Sequence, residues 1–314
     1  MAEKEGVCAV SHDNENGSTK PHSVAAALLT NNRPEDLVRA LQALSRQSVP
    51  LQDIIVVDTA ATPQAEEICS RHGQVRYVPS LSNLGGAGGF SLAMLLAIAT
   101  GAEHIWIMDD DACPEGPDCL ATLLAAMSER ELQAVSPIIV APVDSSRLAF
   151  PYPQAGGPTY DRKEIEQTPF IPSFAQLFNG LLIHKDVFFT VGLPDMKLFI
   201  RGDEVDFLLR MRRAGIRFGT VTGAAMSHPP GWGEVHKVTK GMQALVPEGE
   251  FKRYYFFRNR GYLARRHRRI RSLLVDLVGY PIVFVVVRGG DYSGLRQWWG
   301  AFWDGLNYRF GPPR

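Results

Sequence analysis

Three consecutive carboxylates, Asp109, Asp110 and Asp111, follow the apolar stretch His104–Met108. Like charges packed this closely raise one another's pKa and call for a cation. Mg²⁺ or Mn²⁺ meets that need, because these ions take carboxylate and phosphate oxygens together. Alternate residues of an extended segment share a side. Asp109 and Asp111 are therefore expected to hold the metal, leaving Asp110 to touch a ribose or a sugar. The plain alternative is a solvated acidic turn that caps the next helix.

Other residues could complete such a site. His228 stands in Ser227-His-Pro-Pro-Gly-Trp232, and a neutral imidazole can join two carboxylates on a metal. A lone histidine is more often structural. Trp232 could stack on a sugar or simply anchor its loop. Asp203 and Glu204 follow the apolar lead-in Leu198-Phe-Ile-Arg-Gly202. A carboxylate within reach of a hydroxyl can serve as general base, although acidic residues also collect at helix N-termini because they complement the dipole. Asn83-Leu-Gly-Gly-Ala-Gly-Gly89 precedes a helical stretch. Its glycines, Gly85 and Gly86 first, would let phosphate or sugar oxygens approach the backbone. The spacing is not that of a dinucleotide fingerprint.

The elements that must position these groups can be read from the apolar pattern. Val24–Leu29, Ile54–Val57, Val75–Val78, His104–Met108 and Val135–Val140 read as buried strands, and Phe178–Ile183 as a further apolar run. Helical spacing begins at Pro34 and recurs over Pro63–His72, from the glycine run to about Thr100, and over Pro117–Ser128. Residues 186–215 read as partly helical. Ala141–Gln176 and Gly231–Glu250 read as loops over the active face. Alternating strands and helices imply βαβ units in a mostly parallel α/β sheet. Ligands of such sheets bind beyond the carboxyl ends of the strands. Thr30, Arg33, Asp58, Asn83 and Asp109–Asp111 all fall at or just after those ends.

The chain has 314 residues and no formal net charge, so it is not a generic polyanion binder. The balance is uneven, however. From Phe251 to Arg314 there are thirteen Lys/Arg against three Asp/Glu. Arginines 258–271, followed by an apolar run and by Trp298, Trp299, Phe302 and Trp303, suit an anionic membrane surface better than nucleic acid. A packed helical unit with a basic face is the plain alternative. The apolar run Leu273–Val287 is interrupted by Asp276, Gly279 and Pro281 and is shorter than the roughly 20 residues of a spanning helix. Cys8, Cys69, Cys113 and Cys119 are irregularly spaced and suggest reduced cytosolic thiols. The organisation expected is a disordered tail over 1–23, a catalytic region over 24–250 and a basic helical region over 251–314.

Taken in order, Leu29-Thr-Asn-Asn-Arg33, Val56-Val-Asp58, Asn83–Phe90, Met108–Asp111, Phe178-Asn-Gly180, Phe199–Glu204 and His228 resemble a family 2 glycosyltransferase of the GT-A fold. The Asn83–Phe90 string, Arg147-Leu-Ala-Phe-Pro151, Phe199–Val205 and Phe257-Arg-Asn-Arg-Gly-Tyr262 resemble, more narrowly, the actinobacterial galactofuranosyltransferases of cell-wall galactan synthesis. Within that group the short chain is similar to the initiating type rather than to the longer polymerase. The resemblance implies UDP-galactofuranose as donor and a polyprenyl-diphosphate-linked rhamnosyl-N-acetylglucosamine as acceptor. It implies inversion at the anomeric centre and an active site at the inner face of the plasma membrane. It also implies Asp109, Asp111 and His228 as ligands of Mn²⁺ or Mg²⁺, and Glu204 as base with Asp203 beside it. Thr30, Arg33, Asp58 and Asn83 would contact UDP or the sugar. Rival readings are another hexosyl- or rhamnosyltransferase on the same fold, a nucleotidyltransferase, and a noncatalytic sugar- or lipid-binding scaffold. Thr30-Asn-Asn-Arg-Pro34 lacks the glycine run that a nucleotidyltransferase would carry there.

Overall fold

Strand β1 (Val24–Thr30) is buried along its whole length. Its side chains divide by alternation. Val24, Ala26 and Leu28 enter one apolar core, while Ala25, Ala27 and Leu29 enter another. A strand covered on both faces has no polar side to show, which is why it reads as an unbroken apolar run. The computed structural model describes residues 23–239 and 242–312. Apart from Ser23, the expected N-terminal tail lies outside the described residues.

The chain continues through α1 (Pro34–Ser45), β2 (Asp53–Asp58), α2 (Pro63–Ser70), β3 (Val75–Pro79), α3 (Gly85–Ala99) and β4 (His104–Asp109). After these come β5 (Cys113–Pro114), α4 (Cys119–Glu129), β6 (Ala134–Ala141), β7 (Asp144–Tyr152), β8 (Thr159–Asp161), α5 (Arg162–Glu166) and β9 (Phe170–Pro172). Then follow β10 (Asn179–His184), α6 (Asp186–Val191), α7 (Asp203–Arg213), β11 (Phe218–Ser227) and the hairpin β12 (Val235–Thr239) and β13 (Met242–Leu245). The main sheet runs β3-β2-β1-β4-β10-β6-β11-β5. β1, β2, β3 and β4 are mutually parallel where they pair, and β10 lies antiparallel between β4 and β6. Leucines of α1 and α4 cover one face, and α3, α6 and α7 cover the other.

This order fixes where a ligand can go. From β1 the chain steps outward to β2 and β3, and then α3 carries it back across β1 to β4. The crevice at such a reversal opens at the strands' carboxyl ends. β1 and β4 end there together, with Leu29 opposite Asp109.

Several expectations need correction. Ala141–Gln176 is not irregular throughout, since it forms β7, β8, α5 and β9. The glycine run is not a link before a helix; Gly85–Gly89 is the first turn and more of α3 itself. A Cβ on Gly89 would sit 2.4 Å from Leu29 Cδ1, so glycine is there to let the helix lie close on β1. Residues 231–250 contain a short turn at Trp232–Glu234 and the β12–β13 hairpin.

The C-terminal part is three helices, α8 (Glu250–Arg266), α9 (Ile270–Ile282) and α10 (Tyr292–Leu306). The backbones of α8 and α10 touch: a Cβ on Gly305 would fall 1.7 Å from the Arg258 carbonyl oxygen, and one on Gly261 would fall 2.2 Å from that of Phe302. Tyr254, Phe257, Tyr280, Phe284, Trp298 and Phe302 make a third core, and Phe199 and Ile200 of the preceding region pack against it. Pro281 does not end α9. The helix runs on as a wider π turn, Val283–Val287, an adjustment that accommodates local disruption of the hydrogen-bond ladder. The 18 residues Ile270–Val287 are long and apolar enough to cross a membrane by length and composition. Asp276, Gly279 and Tyr280 nevertheless face inward, while Leu274, Val275, Val278, Val285 and Val286 are exposed.

Candidate active site

The acidic run turns the corner at the end of β4. The backbone N–H of Asp109 donates to the Phe178 carbonyl and that of Asp110 to the Leu29 carbonyl, which ties the corner to β1 and to the start of β10. Each of the three carboxylates can offer an oxygen within 4.8 Å of the others'. Their environments differ. Asp110 is fully buried, receiving the Thr30 hydroxyl at 2.7 Å and Arg33 Nη1 at 3.1 Å. Asp109 and Asp111 are partly open.

Electrostatics separates them further. Burial, then repulsion from Asp110 and Asp111, holds the Asp109 carboxyl well above the ordinary range. Burial also raises Asp110, against the pull of Thr30 and Arg33. For Asp111 burial is outweighed by His228 and Arg33, and its pKa lies below the usual value. Arg33 donates to Asp111 at 2.6 Å as well as to Asp110. Among the described residues, Arg33 is the guanidinium paired with these three carboxylates, so the corner favours an added cation.

His228 follows the last residue of β11 and places Nε2 3.2 Å from Asp111 Oδ1. Its Nδ1 lies 2.6 Å from the Pro229 carbonyl oxygen. A carbonyl only accepts, so Nδ1 carries a hydrogen. Nε2 faces the carboxylate oxygen, where a proton or a metal ion can stand between the two atoms, and a ring nitrogen fixed on a backbone carbonyl is the usual support of a metal-bound imidazole. The carboxylates of Asp109–Asp111 therefore fit a divalent cation, with His228 beside Asp111.

The carboxylate pair sits at the start of α7, with Gly202 as cap in the left-handed region at φ 95°. Burial raises both groups to about 7. The helix N-terminus should favour ionisation, so desolvation is the larger effect. Asp203 is 4% exposed. Glu204 is partly open and accepts the Leu177 N–H at 2.6 Å. A Cβ on Gly86 would come within 3.7 Å of Asp203 Oδ2, so the first turn of α3 and the first turn of α7 face each other across the crevice.

Other expected ligand contacts are placed differently. Thr30 is 1% exposed and spends its hydroxyl on Asp110, so Thr30 and Asp110 brace the corner instead of presenting themselves to a ligand. Asp58 is likewise closed. It accepts from Ala60 N–H, Thr62 N–H, the Thr62 hydroxyl and the Tyr77 hydroxyl at 2.7–3.1 Å, which organises the turn into α2. Asn83 accepts the Gly85 N–H at 2.9 Å and so shapes the entry to α3. Gly85, at φ 63°, lies against the Phe199 carbonyl, where a Cβ would be only 2.2 Å from the oxygen. Trp232 donates to the Leu148 carbonyl at 3.2 Å and carries the Arg147 guanidinium 3.8 Å from its ring centre. One face of that indole is already taken.

The basic run is divided between paired and exposed arginines. Arg258 is 1% exposed and donates to the Lys197, Leu198 and Gly311 carbonyls. Arg260 pairs with Asp276, and Arg266 with Asp195 and Asp206. Arg268, Arg269 and Arg271 remain exposed. β11 is not evident in the sequence, because Gly219, Gly223 and its alanines give little strand signal, and neither is the role of Arg201, which reaches Glu234 at 3.0 Å to tie the α7 lead-in to the Trp232 turn.

Comparison with known proteins agrees with this geometry. Residues 27–189 match the family described as glycosyl transferase family 2. The chain is 36% identical over 300 residues to galactofuranosyltransferase GlfT1 of Mycobacterium tuberculosis, spanning 93% of this chain and 98% of that one. It is 38% identical over 292 residues to galactofuranosyltransferase GlfT1 of Mycolicibacterium smegmatis, spanning 89% and 95%. Among solved structures, mannosyltransferase PcManGT from Pyrobaculum calidifontis, in complex with GDP-Man and Mn²⁺, superposes with a TM-score of 0.51 at 17% identity, covering 81% of this chain and 65% of that one. That last likeness concerns the fold alone.

Proposed function

The chain belongs to glycosyl transferase family 2 and has the GT-A fold, and from that premise we propose that it moves galactofuranose, with inversion, from UDP-galactofuranose to a hydroxyl of a polyprenyl-diphosphate-linked disaccharide. The reading is supported by an acidic corner, Asp109–Asp111 with His228 beside it, and by a carboxylate pair held near neutrality, of which Glu204 feels the charge of His228. Mn²⁺ or Mg²⁺ held by Asp109, Asp111 and His228 would supply positive charge opposite the diphosphate of the donor. Arg33, beside the same corner, adds a fixed cation where negative charge grows as UDP departs. Asp203 or Glu204 takes the acceptor proton, a task suited to a carboxylate whose pKa lies near the working pH. Thr30 and Asp110 hold Arg33 and the corner in register.

The lipid-linked acceptor gives the C-terminal helices a role. The exposed apolar row of α9, with Trp299 and Trp303 of α10 and Arg268, Arg269 and Arg271, suits a surface lying on an anionic bilayer at the inner face of the plasma membrane. A transfer assay with Mn²⁺ and a short lipid analogue of the acceptor tests the reading. Product should form from UDP-galactofuranose and not from UDP-galactopyranose. Equal use of both donors, or of neither, would remove the furanose assignment.

A further inference from the structure

The segment that delivers the carboxylate pair to the crevice is strained. Phe199 has φ 62° and ψ −63°, Arg201 has φ 65°, and Gly202 has φ 95°. Left-handed backbone at two non-glycine residues persists only where the surroundings over-determine it. Here they do. The Phe199 carbonyl accepts the Ala87 N–H at 3.0 Å from the first turn of α3. The remaining carbonyls turn toward α8. Asn259 Nδ2 lies 2.8 Å from the Leu198 carbonyl oxygen, 3.0 Å from that of Ile200 and 2.5 Å from that of Arg201. Arg258 Nη2 takes the Lys197 and Leu198 carbonyls at 2.8 and 3.0 Å.

The amide cannot flip. Arg258 Nε donates to Asn259 Oδ1 at 3.0 Å, which leaves Nδ2 as the atom facing the loop. Both side chains are 1% exposed, so no water competes for these bonds. The approach is also close: a Cβ on Gly202 would lie 3.2 Å from Asn259 Cβ. A pair of residues from the basic run thus grips, through main-chain oxygens, the turn that ends at Asp203.

We propose that Asn259, oriented by Arg258, is a positioning residue for the Asp203–Glu204 pair, acting through the backbone of Leu198–Gly202. The proposal rests on that pair being the general base. Its placement matters because proton transfer needs hydrogen-bond geometry, and a misplacement of about 1 Å costs on the order of 100-fold in rate. The first turn of α3 touches the same loop through Gly85, Gly86 and Ala87, contacts in which Asn259 takes no part, so nucleotide binding should be largely spared.

The test is steady-state kinetics of the full chain with Mn²⁺, alongside Mn²⁺-dependent UDP binding. Asn259→Ala should lower kcat by about 30- to 100-fold, with donor KM and UDP affinity within about twofold of the parent. Asn259→Gln keeps the amide donor and should recover about tenfold of that loss. If Asn259→Ala does not fold, Asn259→Gln and Arg258→Lys carry the same reading against the parent. A kcat within about threefold of the parent, or kcat and UDP affinity failing together, would overturn the proposal. Asp203→Asn and Glu204→Gln separate the two levels. If both turn over normally, the base assignment falls and the positioning role with it. If either is inactive while Asn259→Ala is unaffected, only the positioning role falls.

Discussion

Two runs of like charge define this molecule, and they meet opposite fates. The acidic run at Asp109–Asp111 has Arg33 as its nearby guanidinium, and Nε2 of His228 lies beside Asp111. The basic run from Arg258 to Arg271 finds partners for many of its charges. Arg258 is satisfied by main-chain carbonyls, and Arg260 and Arg266 by buried carboxylates. The first run is left needing a cation from outside. The second is divided: Arg258 and Arg260 are drawn into the structure, while Arg265, Arg266, Arg268, Arg269 and Arg271 are exposed. The difference lies in closure, and closure marks which cluster is a site. A charge that the fold neutralises has done its work in the fold, while one left open is available to a ligand.

Removing charge from the open run should have the largest effect. Asp111→Ala is expected to cut transfer by about 10³-fold or more, because the interaction it removes acts on the charge of the leaving diphosphate. Next come Glu204→Gln and Asp203→Asn, of which at least one should lower kcat by about 10²- to 10³-fold. In the parent, transfer should rise with pH through about 7 and level off above it, since both groups are held near that value. The same shift has a stability sign. These carboxyls keep their protons in the folded state between about pH 4 and pH 7 but lose them when unfolded, so their contribution is present at low pH and is lost as pH rises through about 7. Asp203→Asn should therefore gain on the order of 1–2 kcal/mol relative to the parent between pH 5 and pH 8, measured by denaturant titration.

The closed run should respond in stability. Arg258→Met strands carbonyls that now accept from it and should cost about 3 kcal/mol, seen as a lowered melting temperature. The smallest effect is expected at its exposed end. Arg268→Gln, Arg269→Gln and Arg271→Gln together should leave melting unchanged and weaken partition onto anionic vesicles by about 5- to 20-fold. If this triple variant melts early while Arg258→Met loses only vesicle binding, the distinction between closed and open charge is wrong.

What was legible in the sequence follows the same division. β1, β2 and β4 are buried on both faces, so each shows as a run of apolar residues and their ends locate the crevice. The acidic triplet stands out because it follows such a strand, and Asp203 and Glu204 stand out behind a short apolar lead-in, whereas His228 shows only by its residue type. Local reading failed where a distant neighbour decides. Gly85–Gly89 looks like a flexible link, yet it opens α3, and at Gly85 and Gly89 the neighbours Phe199 and Leu29 leave no room for side chains. Arg258 looks like surface, yet carbonyls 60 residues away in sequence hold it inside. β11 is not evident because its small residues fit the close approach of β9, where a Cβ on Gly219 would fall 2.5 Å from the Ile171 carbonyl oxygen. Asp58 and Asp110 lie at strand ends that the sequence shows, but Asp110 is engaged by Thr30 and Arg33 from β1 and the turn after it, and Asp58 by its own following turn together with Tyr77 of β3.

The central claim is that the corner of Asp109, Asp111 and His228 is open to a divalent cation that a nucleotide diphosphate then shares. Calorimetric titration of UDP into the purified chain, with and without Mn²⁺, tests it directly, using Asp111→Asn and His228→Ala beside the parent. UDP affinity in the parent should rise at least tenfold with Mn²⁺, and that gain should disappear in both variants while their Mn²⁺-free affinity stays near the parent's. A parent whose UDP affinity ignores Mn²⁺, or variants that keep the full gain, would contradict the account.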